Sequence, residues 1–127
     1  MTDMGLFRIS VGVESARRQS DVIYVSDTLV DTGSEATWIP RAILESLEIA
    51  VEKRRTFIVA DGRRIERDIG YAIVHAAGTK TIDEVVFGED TDFPILGAHS
   101  LEGLNLRVDP VQKILVDAGP ILAVAAA

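Results

Sequence analysis

Residues 29–40 read Leu29-Val30-Asp31-Thr32-Gly33-Ser34-Glu35-Ala36-Thr37-Trp38-Ile39-Pro40, and the tetrapeptide Asp31-Thr32-Gly33-Ser34 colours the reading of everything around it. An apolar run that feeds an acidic turn places a carboxylate at a strand end. Two such carboxylates facing each other across one water cannot both ionise. They share a proton, and the protonated member can serve as acid while the ionised member serves as base. Gly33 permits a tight turn and a close approach to substrate where a Cβ would collide. The Thr32 hydroxyl can hydrogen-bond beneath the carboxylate and hold its orientation. Asp, Thr and Gly all favour turns, so the tripeptide alone is equally compatible with a strand-ending turn that has no chemistry. The sequence downstream separates the two readings.

The chain has 127 residues, of which 47% are hydrophobic, enough for one domain spanning residues 1–127 with a substantial core. It contains no cysteine, which excludes disulfides, thiolate metal sites and a cysteine nucleophile. The net charge of −7 and pI near 4.7 argue against nucleic acid as a partner, because phosphate binding needs a basic face. Met1 to Gly5 has neither a basic n-region nor an apolar h-region, and no stretch approaches a membrane span. A soluble, cytoplasmic protein without membrane contact is the reading.

Short, β-branched apolar segments separated by Gly, Asp and Asn predict a mostly β chain. Strands are predicted at Gly5–Val13 and Val22–Val30, with a polar loop at Glu14–Ser20 between them. Pro40 to Leu47 reads as a short helix with Pro at its first position. Thr56–Ala60 and Arg64–Ala77 flank Asp61-Gly62, a hairpin signal. A turn at Gly78-Thr79-Lys80 leads to a strand at Thr81–Phe87. Phe93 to Gly97 precedes a helical turn at Ala98–Leu101, and Leu104–Val108 with Lys113–Val116 form a last hairpin around Asp109-Pro110.

This order of elements resembles the retropepsin-like, single-domain aspartic peptidases, bacterial members included, over about residues 5 to 118. Three anchors carry the resemblance: LVDTGSEATWIP at 29–40, the apolar-apolar-Gly signature Ile95-Leu96-Gly97 followed by a short helix, and the hairpin around Asp61-Gly62 between them. The resemblance implies an all-β fold, a closed acid-protease barrel with one or two short helices. It further implies that Asp31 is catalytic, with Thr32, Gly33 and Ser34 supporting its loop. Ile95, Leu96 and Gly97 would lie beneath that loop in a ψ-shaped motif, and Asp61 and Gly62 would belong to a flap over a peptide or protein substrate. One Asp-Thr-Gly supplies half a dyad, so the second aspartate must come from another subunit of a two-fold homodimer. Thr32 would then brace the partner's loop. The apolar tail at about 119–127 is either an interface strand or frayed chain. No metal or organic cofactor is implied.

Two features depart from the family pattern. Glu35 stands close to the aspartate loop, where it either raises the pKa of the dyad and restricts substrates or, the favoured reading, points to solvent, and the hairpin tip Ala60-Asp61-Gly62-Arg63-Arg64 is not glycine-rich. Lys53, Arg54, Arg55, Arg63, Arg64 and Arg67 cluster near the flap. They either favour acidic substrates or, more commonly for such a run, are solvated charges. Asp83, Glu84, Glu89, Asp90 and Asp92 read as an exposed acidic edge, and His75 and His99 as structural histidines rather than metal ligands. Serine hydrolysis and nucleotide binding lack their glycine motifs. The competing readings are a catalytically silent peptide-binding or scaffold dimer with the same fold, and a monomeric β domain in which Asp31 is only a turn residue.

Overall fold

The computed structural model describes residues 6–126. Strand β1 spans Phe7–Ser15 and β2 spans Ile23–Val30. Then come β3 at Thr37–Pro40 and helix α1 at Arg41–Ser46. The middle of the chain is β4 at Lys53–Ile58, β5 at Arg64–Ala76 and β6 at Thr79–Gly88. It ends with β7 at Ile95–Leu96, α2 at Ala98–Leu104, β8 at Leu106–Asp109 and β9 at Ile114–Asp117. The chain is mostly β, as its punctuation predicts.

Seven strands form one sheet in the order β1-β2-β7-β3-β6-β5-β4, and β5 also pairs with β1, so the pairings return on themselves with β4 left outside the ring. β8 and β9 form a separate hairpin. The inward faces supply a core that includes Val11, Val13, Val30, Ile39, Val74, Val85, Phe87 and Leu96, with Leu44 of α1 and Leu101 and Leu104 of α2 closing its ends. Removing this apolar surface from water is the main favourable contribution to folding.

Local chemistry explains a phase change that strict alternation misses. In β2 the inward residues are Val25, Thr28 and Val30, not every second one. The β1–β2 register slips between Ile9 and Val11, and Asp27 takes a positive φ of 57°, the mark of a bulge. The bulge turns Thr28 inward, where its hydroxyl donates to the Val25 carbonyl at 2.9 Å.

Several boundaries differ from the sequence reading. β1 continues through Glu14 and Ser15 because Glu14 meets His75 of β5 at 2.6 Å across the β1–β5 pairing. Gly5, the expected strand start, lies outside the described residues. Trp38-Ile39-Pro40 is a strand, invisible to a search for longer runs, because parallel pairing to Val86-Phe87-Gly88 satisfies it. Pro40 therefore closes β3 and caps α1 instead of opening the helix. Thr79 and Lys80 belong to β6 and not to a turn. The acidic edge is not uniformly exposed: Asp83 is buried, and Asp92 is largely covered by a bidentate pair with Arg67 at 2.7 and 3.0 Å. After β9 the described residues form no strand; Ala118 N–H and Gly119 carbonyl are tied to Asn105, and Ile121, Leu122 and Val124 are exposed.

Gly97 sits where two segments cross. A Cβ built on it would stand 2.3 Å from the Ala36 carbonyl oxygen and 2.8 Å from that of Glu35, both backbone atoms that cannot swing aside. Gly97→Ala should therefore cost about 3 kcal/mol or more. Chemical denaturation of the variant against the parent measures it, and a loss below 1 kcal/mol would show that the crossing is looser than this.

Candidate active site

Asp31 follows the last residue of β2, and its position is set by β7. Parallel pairing aligns Leu29 with Ile95 and Val30 with Leu96, and the ladder ends with Asp31 N–H donating to the Leu96 carbonyl at 3.1 Å. The chain then turns: Ser34 N–H donates to the Asp31 carbonyl at 3.2 Å, and Gly33 N–H donates to Asp31 Oδ1 at 2.8 Å. A Cβ on Gly33 would lie 3.1 Å from that same oxygen, so the glycine gives the carboxylate room as well as a donor. Asp31 is half-buried, whereas Thr32 and Gly33 are exposed. The Thr32 hydroxyl has no partner among the described residues, so within one chain it is the Gly33 amide that orients the carboxylate.

The far side of the loop is pinned from below. Ser34 Oγ donates to the Ala36 carbonyl at 2.9 Å, and the first amides of α2 reach up, Ala98 N–H to Ser34 at 2.7 Å and His99 N–H to Glu35 at 3.1 Å. Beneath runs a buried polar chain whose direction follows from proton count. Ser100 Oγ donates its single hydrogen to Asp83 Oδ2 at 2.6 Å. Thr37 Oγ1 must therefore donate in its 2.6 Å contact with Ser100, and it accepts from Gly97 N–H at 3.0 Å. Asp83 Oδ1 is met by Glu84 N–H at 2.7 Å and His99 Nδ1 at 2.8 Å. Ile95, Leu96 and Gly97 are thus brought together with the Asp31 loop, and Thr37, Asp83 and Ser100 join them. No spacing rule could have found those three residues. The available signal is small: hydroxyls and a carboxylate at positions where the strand and helix patterns call for apolar side chains.

His99 has its pKa raised, first by the hydrogen bond to Asp83 and then by that residue's charge, with smaller contributions from Glu102 and Glu84. A raised folded-state value means that His99 stabilises the fold below its ordinary value of 6.5, and that this contribution disappears as pH rises through the folded-state value.

The hairpin of β4 and β5 pairs Lys53 with Ile69 through Ile58 with Arg64. Its tip closes with Gly62 N–H on the Val59 carbonyl at 2.8 Å and Val59 N–H on the Arg63 carbonyl at 2.9 Å, with Gly62 at φ +88°. Asp61 is engaged locally, accepting Arg63 N–H at 2.9 Å and Arg63 Nε at 2.8 Å, and this contact lowers its pKa.

The basic cluster is mostly neutralised within the chain. Lys53 pairs with Glu84, and Arg55 reaches the same carboxylate at 3.3 Å. Arg54 pairs with Asp68 at 2.8 Å and Glu66 at 3.2 Å, Arg63 with Asp61 and Arg67 with Asp92. Arg64 alone of the six has no such partner among the described residues. The carboxyl groups of Asp68, Glu84 and Asp92 all lie below their ordinary values, held there first by Arg41, Lys53 and Arg67 respectively. Charges so committed offer little to an acidic ligand.

A cavity of about 240 Å³ opens between the loop after Asp31, the β4–β5 hairpin, β6 and α2. Phe57, Ile69 and Val86 form its apolar part, and Glu35, Asp83, Glu84, Arg55 and His99 its charged and polar part; Asp31 is not among its walls. Among the described residues no group of three or more His, Asp or Glu side chains is placed to hold a metal ion. Among the described residues no helix is long and apolar enough to cross a membrane.

Thr37→Val keeps the shape of residue 37 but strands the Gly97 amide and removes the donor to Ser100 Oγ, which keeps its bond to Asp83. The variant should lose about 2 kcal/mol of stability by urea titration, and a neutral result would remove the buried chain from the loop's support.

No protein-family model and no curated protein matches the chain. Solved structures do. The solution structure of the simian foamy virus (mac) protease matches at TM-score 0.51 and 17% identity, over 76% of this chain and 92% of that one. The foamy viral protease-reverse transcriptase in complex with double-stranded DNA matches at TM-score 0.49 and 19% identity, over 74% of this chain and 15% of the much longer one. At such identities the likeness is one of fold, and the fold of this chain is similar to that of a retroviral protease.

Proposed function

We propose that the chain is a retropepsin-like aspartic endopeptidase, a single domain over residues 1–127 with a closed barrel, that hydrolyses peptide bonds as a homodimer. The observation that carries this reading is the Asp31 carboxylate itself. It is half-buried at the end of β2, oriented by the Gly33 amide at 2.8 Å and locked to β7, in a fold similar to a viral protease.

A second copy related by a two-fold axis at this loop would supply the other carboxylate. Its presence accounts for the exposed, unpartnered Thr32 hydroxyl, which would hydrogen-bond across the axis. Between the carboxylates, the ionised Asp31 removes a proton from water as the oxygen attacks the peptide carbonyl carbon. The protonated Asp31 donates its proton to the carbonyl oxygen. Collapse of the tetrahedral intermediate breaks the C–N bond: the amine leaves with a proton from the dyad while a hydroxyl of the intermediate returns its proton to the dyad, leaving the carboxylic acid and the singly protonated pair. Ser34, Ile95, Leu96 and Gly97 support the loop, and the hairpin tip at Asp61-Gly62 closes over the peptide and excludes water. The exposed Ile121, Leu122 and Val124 support a tail that becomes ordered against the partner. The chemistry needs no cofactor, and the partners are a peptide or protein substrate and a second copy of the chain.

Asp31→Asn keeps size and hydrogen bonding but cannot ionise, so the variant should fold, dimerise and bind peptide with hydrolysis reduced by about 10³-fold or more. Sedimentation across a concentration series, with peptidase assays on the same samples, tests both parts. Wild-type activity should fall in step with dimer loss, and its pH profile should be bell-shaped. A fully active monomer, or an Asp31→Asn variant that cleaves like wild type, overturns the proposal. Peptide binding without cleavage by either protein favours the scaffold reading.

Gly62→Val tests the hairpin as a cover. The open surroundings accept the side chain, but φ of +88° does not suit a β-branched residue. Turnover should drop by about tenfold while the melting temperature shifts by only a few degrees. Equal turnover in a folded variant would exclude the tip from the reaction.

A further inference from the structure

The cavity beside the Asp31 loop has one carboxylate in its wall without a partner among the described residues. Its apolar part is formed by Phe57, Ile69 and Val86, the last two 1% exposed, and Phe57 is steadied by Trp38 at a ring separation of 5.0 Å. Of the three carboxylates in its wall, Asp83 is satisfied by Ser100, His99 and the Glu84 amide, and Glu84 by Lys53 and Arg55. Glu35 differs. Its carboxylate has no hydrogen-bond or ionic partner among the described residues, although its own carbonyl accepts the His99 amide at 3.1 Å, so the backbone that carries it is anchored. Asp83 is matched by His99 and Glu84 by Lys53 and Arg55, so Glu35 is the carboxylate in this wall with no cation of its own among the described residues, on a chain whose net charge is −7.

We propose that this cavity selects a peptide residue with a cationic side chain, lysine or arginine, and that Glu35 determines this specificity. The inference rests on the peptidase reading and names its substrate class. A long cationic side chain meets both halves of the site at once: its methylene stem lies against Phe57, Ile69 and Val86, and its charged end reaches the rim without leaving water. Glu35 then gains the partner it lacks within the chain. The pair is solvated, so its attraction is modest. Discrimination comes chiefly against acidic side chains, which would face an unpaired carboxylate within the field of a negatively charged protein.

The test uses fluorescent peptides that differ at one position at a time on either side of a cleavable bond, carrying lysine, norleucine or glutamate there. Their binding to Asp31→Asn and to Asp31→Asn/Glu35→Gln is measured by anisotropy at low salt, and kcat/KM ratios for wild type and Glu35→Gln provide a second readout should Asp31→Asn fail to fold. At one position lysine should exceed norleucine by about five-fold and glutamate by more. Glu35→Gln should erase the lysine-to-norleucine difference, and Glu35→Lys should shift the preference to glutamate. The inference is overturned if no position distinguishes lysine from norleucine, if the preference survives Glu35→Gln, or if glutamate binds best to the parent, which would assign the cavity to Arg55 and His99. Lysine-selective binding without hydrolysis by wild type would uphold the site and defeat the peptidase reading. Hydrolysis without charge preference would do the reverse.

Discussion

The close crossing of Gly97 against the carbonyl of Ala36 is the constraint on which the site depends. Two backbones can lie this near each other only where one lacks a Cβ, and here the missing atom would fall 2.3 Å from an oxygen. Once the segments cross, their amides and carbonyls have fixed partners. Asp31 hangs from Leu96, and Ser34 and Glu35 are held by the first amides of α2. Thr37, Ser100 and Asp83 complete a hydrogen-bonded chain that starts at the Gly97 amide itself. A loop anchored at so many points keeps a carboxylate within a narrow range of positions, as the proposed chemistry would need.

The surface charges illustrate a different balance. The basic run from Lys53 to Arg67 looks from its composition like a binding patch, yet β-pairing aligns it with acidic residues of β5 and β6. Arg54 opposes Asp68 in the register, and Glu84 of β6 lies within reach of both Lys53 and Arg55. Cross-strand geometry turns a stripe of one sign into a set of ion pairs, each contributing little to stability on the exposed face but removing a patch that would attract anions. The same neutralisation leaves Glu35 conspicuous.

Much of the fold was legible because alternation and punctuation are local properties. The strand ending at Val30, the strand expected to end at Phe87 and found to run one residue further, the hairpin at Asp61-Gly62 and the turn at Asp109-Pro110 all follow from residue types that leave few other conformations, as the two amides donating to Asp109 Oδ1 at 3.0 Å illustrate. The misreadings have one cause. Trp38-Ile39-Pro40 is a strand only because β6 lies beside it, Glu14 joins β1 only because His75 is across the sheet, and Asp83 is buried only because Ser100 and His99 reach it from α2.

By itself, the sequence determined that the chain is mostly β, that a carboxylate stands at a strand end in a glycine-bearing turn, and that a single chain carries one such turn. These depend on backbone preferences that each residue brings with it. Only the tertiary structure decided which residues hold that turn, which cations are neutralised and that Glu35, in the cavity wall, has no ionic partner among the described residues. Thr37 and Ser100 are 63 residues apart, and Arg55 and Glu84 are 29 apart. Contacts at such separations exist only after the sheet has brought distant strands together, since hydrogen bonds and ion pairs act over a few ångströms in space and carry no trace in the local pattern of the chain.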